Sequence, residues 1–110
     1  MAFYLLTGQY RPEALRGMVE QAEDRTEASG ALIGAFGGSI DRYFMTLDGA
    51  AFVLIAEFPD NACAMSCAAV VVSSGTVSDF EVTPLMPMTG MQAVFRAARD
   101  ATAGYRPAGR

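Results

Sequence analysis

Two consecutive β-rich segments joined by a tight turn constrain the fold of this chain more than any other feature. Residues Ile40–Leu47 and Ala50–Phe58 flank the dipeptide Asp48-Gly49, which favours a two-residue type I′ hairpin. The pattern predicts two neighbouring antiparallel strands, with Met45 opposite Phe52 at the turn end. The fold must therefore contain this hairpin within an antiparallel sheet.

The segments on either side of the hairpin show further strand and helix patterns. A strand covered on both faces has apolar residues at all positions, whereas a surface helix has one apolar stripe. Read in this way, the chain has a strand over residues 3–10, a helix over 12–36, the hairpin, a helix over 62–74 with Asp60 as its N-cap, a strand over 76–83 and a short last helix capped by Thr89.

This order of elements is β-α-β-β-α-β followed by one more helix. It predicts an α+β fold of the ferredoxin-like type, with a four-stranded antiparallel sheet and an extra C-terminal helix. A chain of 110 residues has room for a single domain, which we expect over residues 1–102. Residues 103–110 are expected to form a flexible tail.

Both faces of the predicted sheet are apolar, and the chain's own helices can cover only one of them. The face expected to lie under the helices holds Tyr43, Met45, Leu47, Phe52, Leu54 and Ala56. The second face holds Ile40, Arg42, Phe44, Thr46, Ala51, Val53, Ile55 and Glu57. Because this second face is too apolar to face water, the pattern predicts a homodimer through it, with a cavity between the subunits. Cover by the C-terminal segment of the same chain is the alternative.

Composition excludes several kinds of function. The chain contains no histidine and no lysine, so Ser-His-Asp and Cys-His nucleophiles, Schiff-base lysines and imidazole metal sites are excluded. Eight arginines stand against twelve acids without forming a basic cluster, so nucleic-acid binding is not expected. No apolar run is long enough for a membrane span, and a charged signal-peptide start is missing. We expect a cytoplasmic protein without a metal or another cofactor.

Cys63 and Cys67 lie four residues apart in the predicted second helix. This spacing places both thiols on one helix face, but it suits neither a disulfide nor, without further ligands, a metal site. The favoured interpretation is that they are small side chains used in packing, with a redox pair as the alternative.

Five side chains on the predicted strands are the candidates for a ligand site: Tyr4, Tyr10, Arg42, Phe44 and Glu57. An ion pair of Arg42 with Glu57 at the rim of a dimer cavity would let the arginine hold a carboxylate and the glutamate act as a base. The simpler interpretation is an ion pair that only fixes the strand register. For Tyr4 and Tyr10, ordinary packing is the alternative to a chemical role.

A series of short motifs occurs in order over most of residues 3–85. They are Tyr4-Leu5-Leu6 with Gly8 and Tyr10, Pro12-Glu13, Gly37-Gly38 before Tyr43-Phe44-Met45-Thr46-Leu47, Val53-Leu54-Ile55 with Glu57, Pro59-Asp60, Ser74-Gly75 and Thr83-Pro84-Leu85. In these motifs the chain resembles the GYD-domain family of small bacterial and archaeal proteins. The resemblance implies the fold of the dimeric α+β barrels, a superfamily that includes cofactor-free monooxygenases, lactone isomerases and ligand-sensing domains. It also implies a homodimer.

The chain departs from the family at the motif that gives the family its name. Where the pattern has Gly, any residue, Tyr and Asp after the second strand, this chain has Asp48-Gly49-Ala50-Ala51, without the phenol or the carboxylate. Arg11 stands where the family has a helix-capping threonine, so the first helix should be weakly capped.

Two classes of function fit these features. The first is a non-catalytic dimeric module that binds a small apolar or weakly acidic molecule or serves as an accessory subunit, and the missing Tyr and Asp favour it. The alternative is a cofactor-free isomerase or monooxygenase-like enzyme. It would use Glu57 or a tyrosine as base and Arg42 to hold an anionic intermediate in an inter-subunit cavity. No catalytic residue is identified.

Overall fold

The computed structural model describes all 110 residues and contains one four-stranded antiparallel sheet with the strand order β2-β3-β1-β4. The strands are β1 (Ala2–Tyr10), β2 (Ser39–Met45), β3 (Ala51–Phe58) and β4 (Val77–Leu85). The helices are α1 (Pro12–Gln21), α2 (Thr26–Ala35), α3 (Asn61–Ser73) and α4 (Met91–Thr102). The ferredoxin-like α+β fold with an extra C-terminal helix is confirmed.

The helix predicted over residues 12–36 is in fact two helices, α1 and α2. Ala22 has a φ of 48°, in the left-handed region, and ends α1. The carboxylate of Asp24 then accepts a hydrogen bond from the backbone N–H of Thr26 at 2.9 Å. An aspartate that satisfies a free N–H in this way favours the start of a new helix over continuation of the old one. The break leaves Arg25 in the connection between the helices.

The hairpin forms with a longer turn than predicted. Met45 lies opposite Phe52, as expected. However, β2 ends at Met45 and β3 begins at Ala51, so the predicted two-residue turn is wrong. Gly49, with a φ of 76°, donates its N–H to the carbonyl of Thr46 at 2.9 Å. A tight turn still forms, one that uses glycine's access to positive φ.

A β-bulge at Asp41 changes the face on which the start of β2 lies. Arg42 pairs with Ile55, but Ile40 pairs with Ala56, so Asp41 is an extra residue without a partner. A slip of one residue exchanges the two sheet faces. Ile40 therefore packs against the core, and its predicted place on the second face is wrong.

Strand β4 runs two residues further than predicted, through Pro84 and Leu85. Proline is tolerated because β4 is an edge strand, where a missing N–H is not needed for the ladder. A second bulge lies at Asp79, which has a φ of 53°. It allows both Val77 and Phe80 to face the helices and contact the core.

The core lies between one sheet face and helices α2 and α3. Its buried residues are Tyr4, Leu6, Ile33, Phe52, Leu54, Ala56, Phe58, Ala64, Cys67 and Val77. Asp60 is the N-cap of helix α3, as predicted, and its carboxylate accepts the N–H of Cys63 at 2.9 Å. Both cysteines are free, and Cys67 is buried among apolar side chains. Packing is thus the role that the structure gives Cys67.

The other face of the sheet, here called the open face, carries no packed helix. Its side chains are half-buried or exposed, and half of them are apolar. They are Phe3, Leu5, Thr7, Gln9, Ser39, Arg42, Phe44, Ala51, Val53, Ile55, Glu57, Glu81, Thr83 and Leu85.

Helix α4 projects away from the rest of the molecule. Its contacts are chiefly with the 3-10 turn Met88–Gly90 that precedes it. The radius of gyration is 17.9 Å, against about 13 Å for a compact chain of this length. The C-terminal segment therefore leaves the open face uncovered, which makes the alternative of self-cover wrong.

Thr89 lies inside the 3-10 turn and does not cap the helix. None of the four helices is both long and apolar enough to cross a membrane.

Candidate ligand-binding site

A cavity of about 320 Å³ lies inside the subunit, between the helices and the sheet. Twelve of its sixteen lining residues are hydrophobic. Leu6 and Phe52 form part of the strand side, and Leu32 and Val71 form part of the helix side. Sites for small organic ligands begin at about 300 Å³, so the cavity has room for a small molecule.

Gly8 brings two walls of this cavity together. It is buried in β1, and a Cβ atom there would lie 2.8 Å from Cγ1 of Val77 and 3.1 Å from the ring of Phe52. Those distances leave no space for any side chain at position 8. The glycine is therefore required for Val77 and Phe52 to approach each other across β1.

The polar groups of the cavity are concentrated around two tyrosines. The hydroxyl groups of Tyr10 and Tyr43 are 2.8 Å apart, and Ser29 Oγ lies 3.4 Å from the Tyr43 hydroxyl. Burial, and then the hydrogen bond with Tyr43, raise the pKa of the Tyr10 phenol well above its usual value of 10.0. Tyr10 is therefore a neutral hydrogen-bonding group at physiological pH and is poorly suited to act as a base.

A second, outer cleft of about 280 Å³ adjoins this polar cluster. It shares Tyr10, Arg25 and Tyr43 with the inner cavity. The Arg25 guanidinium donates a hydrogen bond to Glu23 at 2.7 Å and is the only charged group among the residues that line the inner cavity. These three shared side chains therefore lie where the cleft and the cavity adjoin.

Among the predicted site residues, the structure places Tyr10 in the cavity and the other four elsewhere. Tyr4 is on the same face but fully packed, with its hydroxyl 2.5 Å from Asn61 Oδ1. Arg42, Phe44 and Glu57 lie on the open face, on the far side of the sheet. The predicted ion pair is absent. The Arg42 guanidinium lies instead 5.3 Å from the centre of the Phe44 ring.

The residues that complete the polar cluster were not among the predicted site residues. Tyr43 was expected on the sheet face under the helices, and this was the signal that it could reach a site on that side of the sheet. Arg25 gave no comparable signal, because its position depends on the break between α1 and α2. No group of three or more Cys, Asp or Glu side chains is arranged to hold a metal ion.

Tyr10 should contribute to the loss of stability at high pH. Because its folded-state pKa is raised, the proton is held more tightly in the folded chain than in the unfolded one. The free energy of unfolding should therefore fall above about pH 10, by at most about 1.4 kcal/mol per pH unit from this group. Urea unfolding between about pH 9 and pH 11 should give a flatter pH dependence for Tyr10→Phe than for the wild type. Equal slopes would contradict the prediction.

Comparison with known proteins relates the chain to one family and to several solved structures. The family model described as GYD domain matches residues 4–95. A structure described as an antibiotic biosynthesis monooxygenase matches with a TM-score of 0.53 and 17% sequence identity, covering 80% of this chain and 99% of that one. A protein from Mycobacterium tuberculosis matches with a TM-score of 0.50 and 19% identity, covering 79% and 94%. No curated protein sequence matches. At these identities the solved structures establish the fold alone.

Proposed function

The chain belongs to the GYD-domain family, and we propose that it is a homodimeric, non-catalytic module that binds a small, largely apolar molecule with one hydroxyl or weakly acidic group. The observation that carries this proposal is the apolar cavity whose polar groups gather around the Tyr10–Tyr43 hydroxyl pair. An apolar ligand body would gain roughly 25 cal/mol for each Å² that it buries against the cavity walls. A single polar group of the ligand would then decide its orientation.

The tyrosine pair supplies the contacts for that polar group. When one of the two hydroxyls donates to the other, the second keeps its own proton, which a ligand oxygen can accept. Arg25 lines the same end of the cavity and favours a weakly acidic group there. The cavity is lined by no carboxylate, and Tyr10 has a raised pKa, so its own groups favour binding over proton abstraction.

The homodimer would form through the open face. Its apolar side chains on three neighbouring strands remain partly exposed in the single chain. Large apolar patches of this kind are typical of protein–protein interfaces. In such a dimer Phe44 and the Arg42 guanidinium stacked on it would lie at the interface.

The enzymatic alternative needs a different site. Glu57 and Arg42 lie across the sheet from the cavity and do not pair with each other. A reaction that used them would have to take place between two subunits.

A fluorescent phenol such as 2-naphthol offers a direct test of the cavity. We expect saturable binding to the wild type and at least tenfold weaker binding to Val71→Phe, because the added ring fills space that the ligand needs. Val72→Phe is the matched control. Val72 is the next residue of α3 and is 56% exposed, so binding should stay within about twofold of the wild type.

Fluorescence titration and thermal denaturation in the presence of 2-naphthol provide the two readouts. Binding to the folded chain should also raise the melting temperature in a ligand-dependent manner. The proposal is contradicted if 2-naphthol neither binds nor stabilises the wild type. It is also contradicted if Val71→Phe and Val72→Phe bind the phenol equally well.

A further inference from the structure

Helix α4 is an amphipathic helix without a partner in its own chain. Its apolar residues Met91, Val94, Phe95 and Ala98 follow the spacing of a single helix face. Val94 is 42% exposed and Phe95 is 59% exposed. An isolated helix of twelve residues is marginal in water, and most helices in proteins are stabilised by packing of this apolar face. The helix therefore needs a surface that its own chain does not provide.

The distribution of charge indicates what kind of surface this is. Residues 91–110 contain four arginines and one acid, whereas residues 1–90 contain four arginines and eleven acids. The C-terminal segment is thus basic and the rest of the chain, here called the body, is strongly acidic. Opposite charges of this kind favour contact between the segment and a body. Since α4 projects away from its own body, the body of another copy is the complementary surface.

The point at which the segment leaves the sheet fits the same partner. Strand β4 is an edge strand, and its last residue, Leu85, pairs with Phe3 on the open face. The chain then turns at Met88–Gly90 and continues as α4, about 18 Å long. A second copy seated on the open face would therefore meet the start of α4 directly.

We propose that α4 of one subunit packs its apolar face against the acidic body of the second subunit, so that each copy holds the other with its C-terminal helix. The inference rests on the proposed homodimer. It adds a contact that the open face alone does not require.

A photo-crosslinking experiment on the full chain tests this contact. Phe95 is replaced with p-benzoylphenylalanine, and in a second protein the same group replaces Ala93, which lies on the opposite side of α4. Irradiation of the first protein should give a covalent dimer, with at least fivefold higher yield than the second. Raising the NaCl concentration from about 50 mM to about 500 mM should reduce the yield, since the attraction between segment and body is screened.

The outcomes separate this inference from the others. One outcome is a protein that sediments as a dimer while the probe at position 95 crosslinks only within its own chain or not at all. In that case the proposed contact of α4 is wrong, but the homodimer is not contradicted. If the protein sediments as a monomer, the contact and the homodimer both fail, and 2-naphthol binding still decides the cavity. Equal dimer yields from positions 93 and 95 would also overturn the packing of the apolar face.

Discussion

Replacing Gly38 with alanine should lower the free energy of unfolding by about 3 kcal/mol or more. Gly38 lies just before β2, and a Cβ atom there would lie 2.9 Å from Ile33 Cγ2 and 2.9 Å from Phe58 Cδ1, and would also strike the backbone carbonyl of Glu57. Ile33 and Phe58 are buried core residues. The strand and the core would both have to shift, since the carbonyl belongs to the sheet backbone and cannot rotate away.

Gly34→Ala is the matched control for this prediction. Gly34 lies four residues earlier, near the end of α2, and a Cβ atom there meets nothing within 4 Å. Alanine favours the helix over glycine by up to about 1 kcal/mol, so this variant should be as stable as the wild type or slightly more stable. In thermal denaturation Gly38→Ala should lose about 10 °C or more. A loss of less than about 3 °C would show that the turn before β2 adapts easily.

The strand pattern and the turn residues predicted the fold, because each rests on local chemistry that the structure retains. Alternating side chains on β3 assigned Phe52, Leu54 and Ala56 correctly to the core face, and Asp60 marked the start of α3. These signals depend on a few neighbouring residues. They therefore predict the local structure correctly even where the packing of the rest of the chain is unknown.

The bulges and the helix break could not be predicted in the same way. The bulges at Asp41 and Asp79 each involve a single residue and become visible only when two strands are paired. The first moved Ile40 from one face to the other. The break at Ala22 had no glycine or proline to mark it, and it places Arg25 beside the cavity.

The candidate site likewise combines features that a single strand predicts with features that depend on how the strands pair. Tyr10 was predicted from its own strand, but its hydrogen bond with Tyr43 depends on how β1 and β2 lie on either side of β3. Arg42 and Glu57 were expected to attract each other, yet Arg42 stacks on Phe44 instead. A choice between an ion pair and a stacking partner at the surface involves only about 1 kcal/mol, which is too little for sequence spacing to decide.

The proposed homodimer through the open face predicts that the Ile55→Asp variant is monomeric at concentrations at which the wild type should be dimeric. Ile55 lies in the middle of the open face, paired with Leu5 on one side and Arg42 on the other. In a twofold dimer each substitution occurs twice, and an aspartate is too short to reach water from the centre of an interface. A buried, unpaired carboxylate costs several kcal/mol, so the dissociation constant should rise by at least about 100-fold.

Sedimentation velocity at micromolar concentration measures this effect, and Met65→Asp provides the control. Met65 is 70% exposed on α3, a helix that packs on the other face of the sheet. A charge there should leave the dimer intact, and circular dichroism should show that both variants are folded. If Ile55→Asp remains dimeric, the subunits meet through some other surface, and Arg42, Phe44 and Glu57 then lie outside the interface. The cavity around Tyr10 and Tyr43 is lined by residues of a single subunit, so a monomeric Ile55→Asp should still bind 2-naphthol.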